Sequence, residues 1–444
     1  MNSTFIPPHS DISRRQFLQT GSSALMGASL LGALPIERSA HAAGGDDLLK
    51  IALIGCGGRG SGAADQALNA PGNSKLIAMA DVLPEHLEKS LSNLKAKQGD
   101  KVQVPPDHQF TGFDGYKKAI ALADVVILAT SPGFRPMHFE EAVRQGKHVF
   151  MEKPVATDAP GVRRVLAAAT EAKQKNLKVG VGFQRHHEAG YLETIKRIQD
   201  GALGDIMLLR AYWDGGSRDG VERLPNETEM HYQIRNWYYF TWLSGDHIVE
   251  QHVHNIDVCN WIKGAHPIRA QGSGGRQVRN GKRHGQIFDH HIVEFEYADG
   301  TRMFSQCRQI PGCWPNVSEH ALGTKGSADL MAGRNGFAIK GATSWRYPKA
   351  QSLKDPYQQE HDDLFDAIRN DKPYNEAESG ALSTMTGILG RMCTYSGQQI
   401  SWDDAINSKI ELLPKAFSWD APPPVLPDAN GWYPVAMPGR TVTV

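Results

Sequence analysis

Cysteine is scarce and scattered. Cys56, Cys259, Cys307, Cys313 and Cys393 form an odd set of five without CxxC spacing, which suggests neither a zinc site nor a disulfide framework. A bridge between Cys307 and Cys313, six residues apart, stays open for an oxidising compartment, against the alternative of buried free thiols. Net charge is absent too: 48 Lys and Arg balance 48 Asp and Glu. A neutral body offers no electrostatic reason to expect nucleic acid or an anionic membrane as partner. The apolar stretch near the N-terminus, Gly21 to Ile36, is diluted by Gly and Ser and falls short of the roughly 20 residues that span a bilayer. Stable membrane insertion is therefore not expected.

That stretch has another reading. Ser13-Arg14-Arg15-Gln16-Phe17-Leu18 precedes it and Ala40-His41-Ala42 follows, the order of a twin-arginine export signal with an AxA-type cleavage site. Residues 1–42 are expected to engage the twin-arginine translocase and to be removed, leaving a protein that is periplasmic or otherwise exported. Cleavage removes three Arg and two acidic residues, so the mature chain stays near neutral. Its length and its 40% apolar residues suit two or three domains with ordinary cores, at about 150 residues each.

Lys50-Ile-Ala-Leu-Ile54 ends at Gly55-Cys-Gly57-Gly58-Arg59-Gly60, and small residues follow, Ser61-Gly62-Ala63-Ala64. This is the pattern of a buried strand, a tight turn and a helix. Gly55 permits the turn, Gly57 lets backbone approach a pyrophosphate, and Gly60 allows close helix packing; free N–H groups at the helix start face the anion. The next strand, Lys75 to Ala80, ends on Asp81, 21 residues after Gly60. An acid there hydrogen-bonds ribose hydroxyls and repels the extra phosphate of NADP, so NAD is the expected cofactor and NADP the less favoured one. Further strands, Asp124 to Ala129 and Lys147 to Met151, alternate with helical patterns. The fold class is α/β, a doubly wound parallel sheet whose carboxyl edge carries Thr130, Glu152 and Lys153.

After Gly182 the pattern changes. Ile206 to Tyr212, His291 to Tyr297 and Thr301 to Ser305 alternate as strands of a large open, mainly antiparallel sheet, with Ala298-Asp-Gly300 as a hairpin turn. The expected organisation is 48–180 for nucleotide binding, 181–360 for a second α+β domain, and 361–444 for helices and a tail that pack back on the first.

Gly55 to Gly60, Asp81, Pro136-Met-His138, Gly146-Lys-His-Val-Phe-Met-Glu-Lys-Pro154, Gly182-Phe-Gln-Arg185 and His254-Asn-Ile-Asp257 together resemble the glucose-fructose oxidoreductase, inositol dehydrogenase and MocA (Gfo/Idh/MocA) family over residues 48 to 400. The resemblance implies that Lys153 contacts substrate and assists proton transfer, and that His254 accepts the hydroxyl proton as hydride leaves carbon, with Glu250 or Asp257 orienting its ring. Residues 250, 254 and 257 are expected on one helix face. Many relatives carry Asp where this chain has Glu250, and often glycine where it has His252. The implied cofactor contacts are Gly55, Gly57, Gly58, Arg59, Gly60, Asp81, Thr130, His138, Glu152, Lys153 and Gln184. Arg185, Trp213, Arg235, Trp237 and Trp242 are candidates to hold substrate, since aromatic faces and flanking charges suit sugar rings. His247, His252 and His254 beside acids suggest a metal, but the NAD framework already accounts for His254 and no metal is expected. Family habit implies a homo-oligomer.

Export constrains the chemistry. Free NAD is not expected outside the cytoplasm, so the cofactor is expected to be bound before export, held tightly and recycled. The first function this allows is an oxidoreductase that oxidises one sugar or polyol and reduces a second carbonyl. The second is an NAD-dependent glycosidase resembling the N-acetylgalactosaminidases, which oxidises, eliminates, adds water and re-reduces. The dehydrogenase-like stretch after His254 favours the first. A binding protein on a retired dehydrogenase fold is the third, and the retention of Lys153, His254 and the full glycine turn argues against it.

Overall fold

The computed structural model describes residues 47–331, 336–342, 344–348 and 354–444. The proposed signal and its cleavage site lie outside the described residues. The first domain is built on six parallel strands, β1 (Leu49–Ile54), β2 (Ser74–Asp81), β3 (Gln109–Thr111), β4 (Val125–Leu128), β5 (His148–Met151) and β6 (Val179–Val181). They lie in the order β3-β2-β1-β4-β5-β6, so the direction of winding reverses between β1 and β4, where such sheets open a crevice at their carboxyl edge. Every residue of β4 is buried, because helices cover both faces of a parallel sheet.

Local sequence explains the covering helices. In Ala159–Gln174, Asp158 caps the start by accepting from the Gly161 N–H at 2.8 Å. Val162, Val165, Ala169 and Ala172 recur at helical spacing and are buried. Each fully buried valine contributes about 1.5–3 kcal/mol relative to exposure.

The second sheet has nine strands: β7 (Ile206–Gly215), β8 (Arg269–Gly275), β9 (His290–Glu296), β10 (Arg302–Gln309), β11 (Asn316–Gly323), β12 (Gly326–Met331), β13 (Gly336–Gly341), β14 (Trp345–Arg346) and β15 (Ile400–Ser401). Their order is β14-β13-β12-β11-β7-β10-β9-β8-β15. β7 and β10 run parallel and the other pairs antiparallel, so the sheet is open and mainly antiparallel, as expected. Gly300 (φ 85°) sits in the expected hairpin turn between β9 and β10. In β10, Met303, Ser305 and Cys307 point inward while Phe304 is exposed, the period-2 pattern of a sheet with one covered face.

Helix Pro356–Arg369 returns to pack on helix Gly58–Asn69, and helix Ala377–Ser396 lies against Ala159–Gln174 and β8. The irregular tail then crosses the aromatic region near the crevice, where Leu412, Phe417, Trp419 and Val425 pack on a cluster containing Leu83, Phe134 and Phe240. All five cysteines are free thiols. Cys307 is buried in β10 whereas Cys313 is exposed in the turn beyond it, so no bridge joins them.

Candidate active site

The crevice between β1 and β4 opens into a cavity of about 840 Å³ whose walls come from both domains. At its phosphate end the glycines divide the labour. A Cβ on Gly55 (φ 94°) would meet the Thr130 N at 2.4 Å, and one on Gly60 would meet the Gly55 carbonyl oxygen at 1.9 Å. Those two glycines serve the fold. Around Gly57 and Gly58 no atom lies within 4 Å of an added Cβ, and both line the cavity, leaving the open cradle that a pyrophosphate requires above a helix N-terminus.

Asp81 closes the ribose end. Its carboxylate accepts from the Cys56 N–H at 2.6 Å and from the Leu83 N–H at 2.9 Å, and burial raises its pKa. Its acceptor capacity suits ribose hydroxyls. Arg59 lies beside the cradle but is held by protein. It pairs with Glu152 and, at 2.9 Å, with Glu360, and stacks 4.9 Å from the Tyr357 ring. Burial and the neighbouring Glu152 push the Glu360 carboxyl well above its ordinary range. Residues present thus fit a dinucleotide at both the phosphate and the ribose end.

Arg135 builds the middle of the site. It is buried and donates to the Pro154 carbonyl at 2.7 Å and to the Thr130 carbonyl, tying together the loops after β4 and β5. Its burial lowers its pKa to about 10. The Lys153–Pro154 bond is cis. His138 lines the wall near Thr130, 3.3 Å from its hydroxyl, and burial followed by the Arg135 charge pushes it down to about 3, so its ring is neutral.

Lys153 and His254 meet in this cavity. The Lys153 Nζ donates to the Glu250 carbonyl at 2.7 Å and lies 3.4 Å from Glu250 Oε1. The His254 ring stacks on Trp213 at 5.9 Å and stands edge-on to Phe183 at 5.8 Å. Burial, reinforced by Lys153 and Arg185, holds its pKa well below the ordinary value. His254 Nδ1 is buried without a partner, which leaves Nε2 to face the cavity.

The shared helix face expected for residues 250, 254 and 257 is corrected. Helix His247–Glu250 ends, Gln251 and His252 turn, and Val253–Lys263 begins anew. Glu250 therefore points to Lys153 rather than to the His254 ring. Asp257 does not orient His254 either: it bonds His186 Nε2 and Ser383 Oγ, each at 2.7 Å.

Thr130, Glu152, Trp213 and Trp237 line the cavity, whereas Gln184 does not. Three expected substrate contacts are also corrected. Arg185 is buried in an ion pair with Glu319, Arg235 is drawn off by Glu227 at 2.6 Å, and Trp242 is buried with its indole N–H on Gln233. His252 is buried on Ser305 at 2.7 Å, and His247 donates to Asp246 at 2.8 Å. Neither lines the cavity. Sequence reasoning missed Arg135 and Gln251, which do, whereas Arg218, a charged residue within the aromatic stretch read from the sequence as suited to sugar rings, lines the cavity as well. Gln251 was discoverable as the neighbour of Glu250, while Arg135 acts on two backbone carbonyls that no motif reveals.

Comparison with known proteins agrees with this architecture. Residues 49–183 match the family model described as an oxidoreductase family with an NAD-binding Rossmann fold, and residues 191–329 match the GFO/IDH/MocA C-terminal domain. The chain belongs to the GFO/IDH/MocA oxidoreductase family. It is similar to the inositol 2-dehydrogenase of Ralstonia nicotianae, with 28% identity over 264 residues, 57% of this chain and 66% of that protein. The inositol 2-dehydrogenase of Agrobacterium fabrum is 29% identical over 57% of this chain and 65% of its own length. The matches thus span just under two thirds of these relatives. The solved aldose-aldose oxidoreductase of Caulobacter crescentus shares the fold at TM-score 0.62 and 19% identity, covering 80% of this chain and 100% of that one. So does the scyllo-inositol dehydrogenase of Lactobacillus casei solved with NAD(H) and scyllo-inositol, at TM-score 0.60 and 21% identity, covering 80% and 100%.

Proposed function

We propose that this protein oxidises a hydroxyl on a ring carbon of a sugar or polyol with a tightly held, recycled NAD. The observation that carries the reading is the meeting of Lys153 and a neutral His254 in one cavity with an open glycine cradle and Asp81. Gly57, Gly58 and the helix start would hold the pyrophosphate and Asp81 the ribose, with Thr130 and His138 forming the wall beyond. NAD bound there would supply the hydride acceptor for oxidation of a ring hydroxyl to a carbonyl. The remaining chemistry belongs to the chain. Lys153 Nζ, steadied by Glu250, hydrogen-bonds the reacting oxygen, and His254 Nε2 receives its proton because the ring is neutral. Trp213 and Trp237 flank the ring.

The named relatives are inositol dehydrogenases and an aldose-aldose oxidoreductase, so the glycosidase alternative is not carried forward. Tight retention is supported by the tail. Phe113 and Phe134, which line the cavity, pack against Phe417 at 6.0 and 5.4 Å, and Phe113 also meets Trp419 at 4.8 Å. Recycling requires a second, carbonyl-bearing substrate. Export by the twin-arginine route to the periplasm is supported by the N-terminal motif and suits a cofactor bound before transport. Homo-oligomerisation is supported by the open sheet, which exposes Ile292, Phe304 and Leu322.

The test is the absorbance of reduced cofactor in the purified protein, without added NAD, as sugars and polyols are supplied. Bound cofactor that becomes reduced and is reoxidised by a second carbonyl compound is the expected result. No reduction by any ring polyol overturns the reading.

A further inference from the structure

The substrate end of the cavity carries a cation and a fixed hydrogen-bond donor that the proposed chemistry does not use. The Lys153 charge is met by Glu250 and that of Arg59 by Glu152 and Glu360. Arg218 also lines the cavity, and no carboxylate pairs with it among the described residues. Its neighbours Asp219 and Glu222 instead face Arg283, at 3.7 and 2.8 Å. The Arg218 guanidinium lies 4.9 Å from the Tyr238 ring, a contact that holds it while leaving its planar donor edge open.

A buried relay links that position to Gln251. Arg279 can only donate, so its bond to Gln309 makes Gln309 Oε1 the acceptor. The Gln309 amide nitrogen then donates to the Tyr238 hydroxyl and to Gln251 Oε1, each at 2.6 Å. With its oxygen held by Gln309, Gln251 lines the cavity with N–H groups that no protein acceptor takes among the described residues. Arg218 and Gln251, joined through Tyr238 and Gln309, are two donors on one wall, one of them charged.

We infer that this wall recognises a carboxylate on the sugar, so that the preferred substrate class is a uronate-type carboxylated sugar rather than a neutral polyol. The inference rests on the proposed oxidoreductase reading and deepens it. A planar carboxylate matches the guanidinium edge in two parallel hydrogen bonds, and Gln251 adds a third donor. The ring then lies between Trp213 and Trp237 with its hydroxyls toward Lys153 and His254.

The test compares glucuronate, glucose, myo-inositol and glucose 6-phosphate on the purified holoprotein. Two readouts are taken, reduction of the bound cofactor and equilibrium binding by tryptophan fluorescence. Glucuronate is expected to exceed glucose in kcat/KM by roughly 10- to 100-fold, through KM. Arg218→Gln should erase that ratio, Arg218→Lys restore part of it, and Gln251→Glu reduce it. Equal kcat/KM for glucuronate and glucose, an unchanged ratio in Arg218→Gln, or a preference for glucose 6-phosphate overturns the inference. If no sugar reduces the cofactor but glucuronate still binds more tightly than glucose in an Arg218-dependent way, the redox reading fails and the carboxylate site stands. If neutral polyols reduce it and Arg218→Gln changes nothing, the reverse holds.

Discussion

Lys153 donates to the backbone carbonyl of Glu250 at 2.7 Å while its ammonium lies 3.4 Å from the same residue's carboxylate. Backbone and side chain of one residue in the second domain thus aim a lysine delivered by the first. Replacing Lys153 by Ala is expected to cut turnover by roughly 10² to 10⁴ while NAD stays bound. Glu250→Ala should lower turnover less, since the carbonyl contact survives. Single-turnover reduction of the bound cofactor measures both, and wild-type rates in Lys153→Ala would remove the lysine from the mechanism.

His254 is buried, and that burial with the nearby Lys153 and Arg185 charges depresses its pKa. The ring therefore stays neutral as pH falls through the ordinary histidine range near 6.5. The profile of kcat/KM should show no loss centred there. His254→Ala should lose roughly 10² to 10⁴ in turnover. An acid limb at the ordinary histidine pKa that vanishes in His254→Ala would contradict the depressed value.

Two glycines of the same turn, Gly57 and Gly60, should fail differently. Gly60→Ala forces a Cβ to 1.9 Å from the Gly55 carbonyl, so the strand and helix must move apart and thermal stability should fall. Gly57→Ala meets no protein atom and should fold normally yet bind NAD at least about tenfold more weakly, because its methyl enters the pyrophosphate cradle. Calorimetry of unfolding and titration with NAD separate the two outcomes.

His187 tests a structural network behind the site. Burial opposes its charge, but bonds to Asp363 at 2.6 Å and to Glu376 at 3.3 Å outweigh it and raise the pKa to about 10. A folded value above the unfolded one of about 6.5 gives stability that is full below pH 6.5 and is lost as pH climbs toward 10. His187→Gln should be less stable than wild type at pH 6 and flatten the decline above it. Melting temperatures across that range decide, and parallel curves for the two proteins would rule out the linkage.

The dinucleotide half was legible because its signals are local. Gly55, Gly57 and Gly60 act through the turn they form, and Asp81 ends the strand beside them. The second half misled where partners are distant in sequence. Arg185 looked like a cleft residue because Glu319, which holds it, lies on β11. Residues 250, 254 and 257 have helical spacing, but the helix breaks at Gln251 and His252, and Asp257 turns to His186 and Ser383.

By itself the sequence determined the parallel sheet, the glycine turn after β1, Asp81 at the end of β2 and the presence of Lys153 and His254 as candidates, since strand period, turn chemistry and motif spacing are properties of neighbouring residues. Tertiary structure alone decided that Glu250 serves Lys153, that Arg135 joins two loops, and that Arg218, without a carboxylate partner among the described residues, lines the same cavity as a Gln251 whose amide oxygen is held by Gln309. Each depends on which groups meet across the fold, and a hydrogen bond or ion pair forms only within a few ångströms, whatever the distance along the chain.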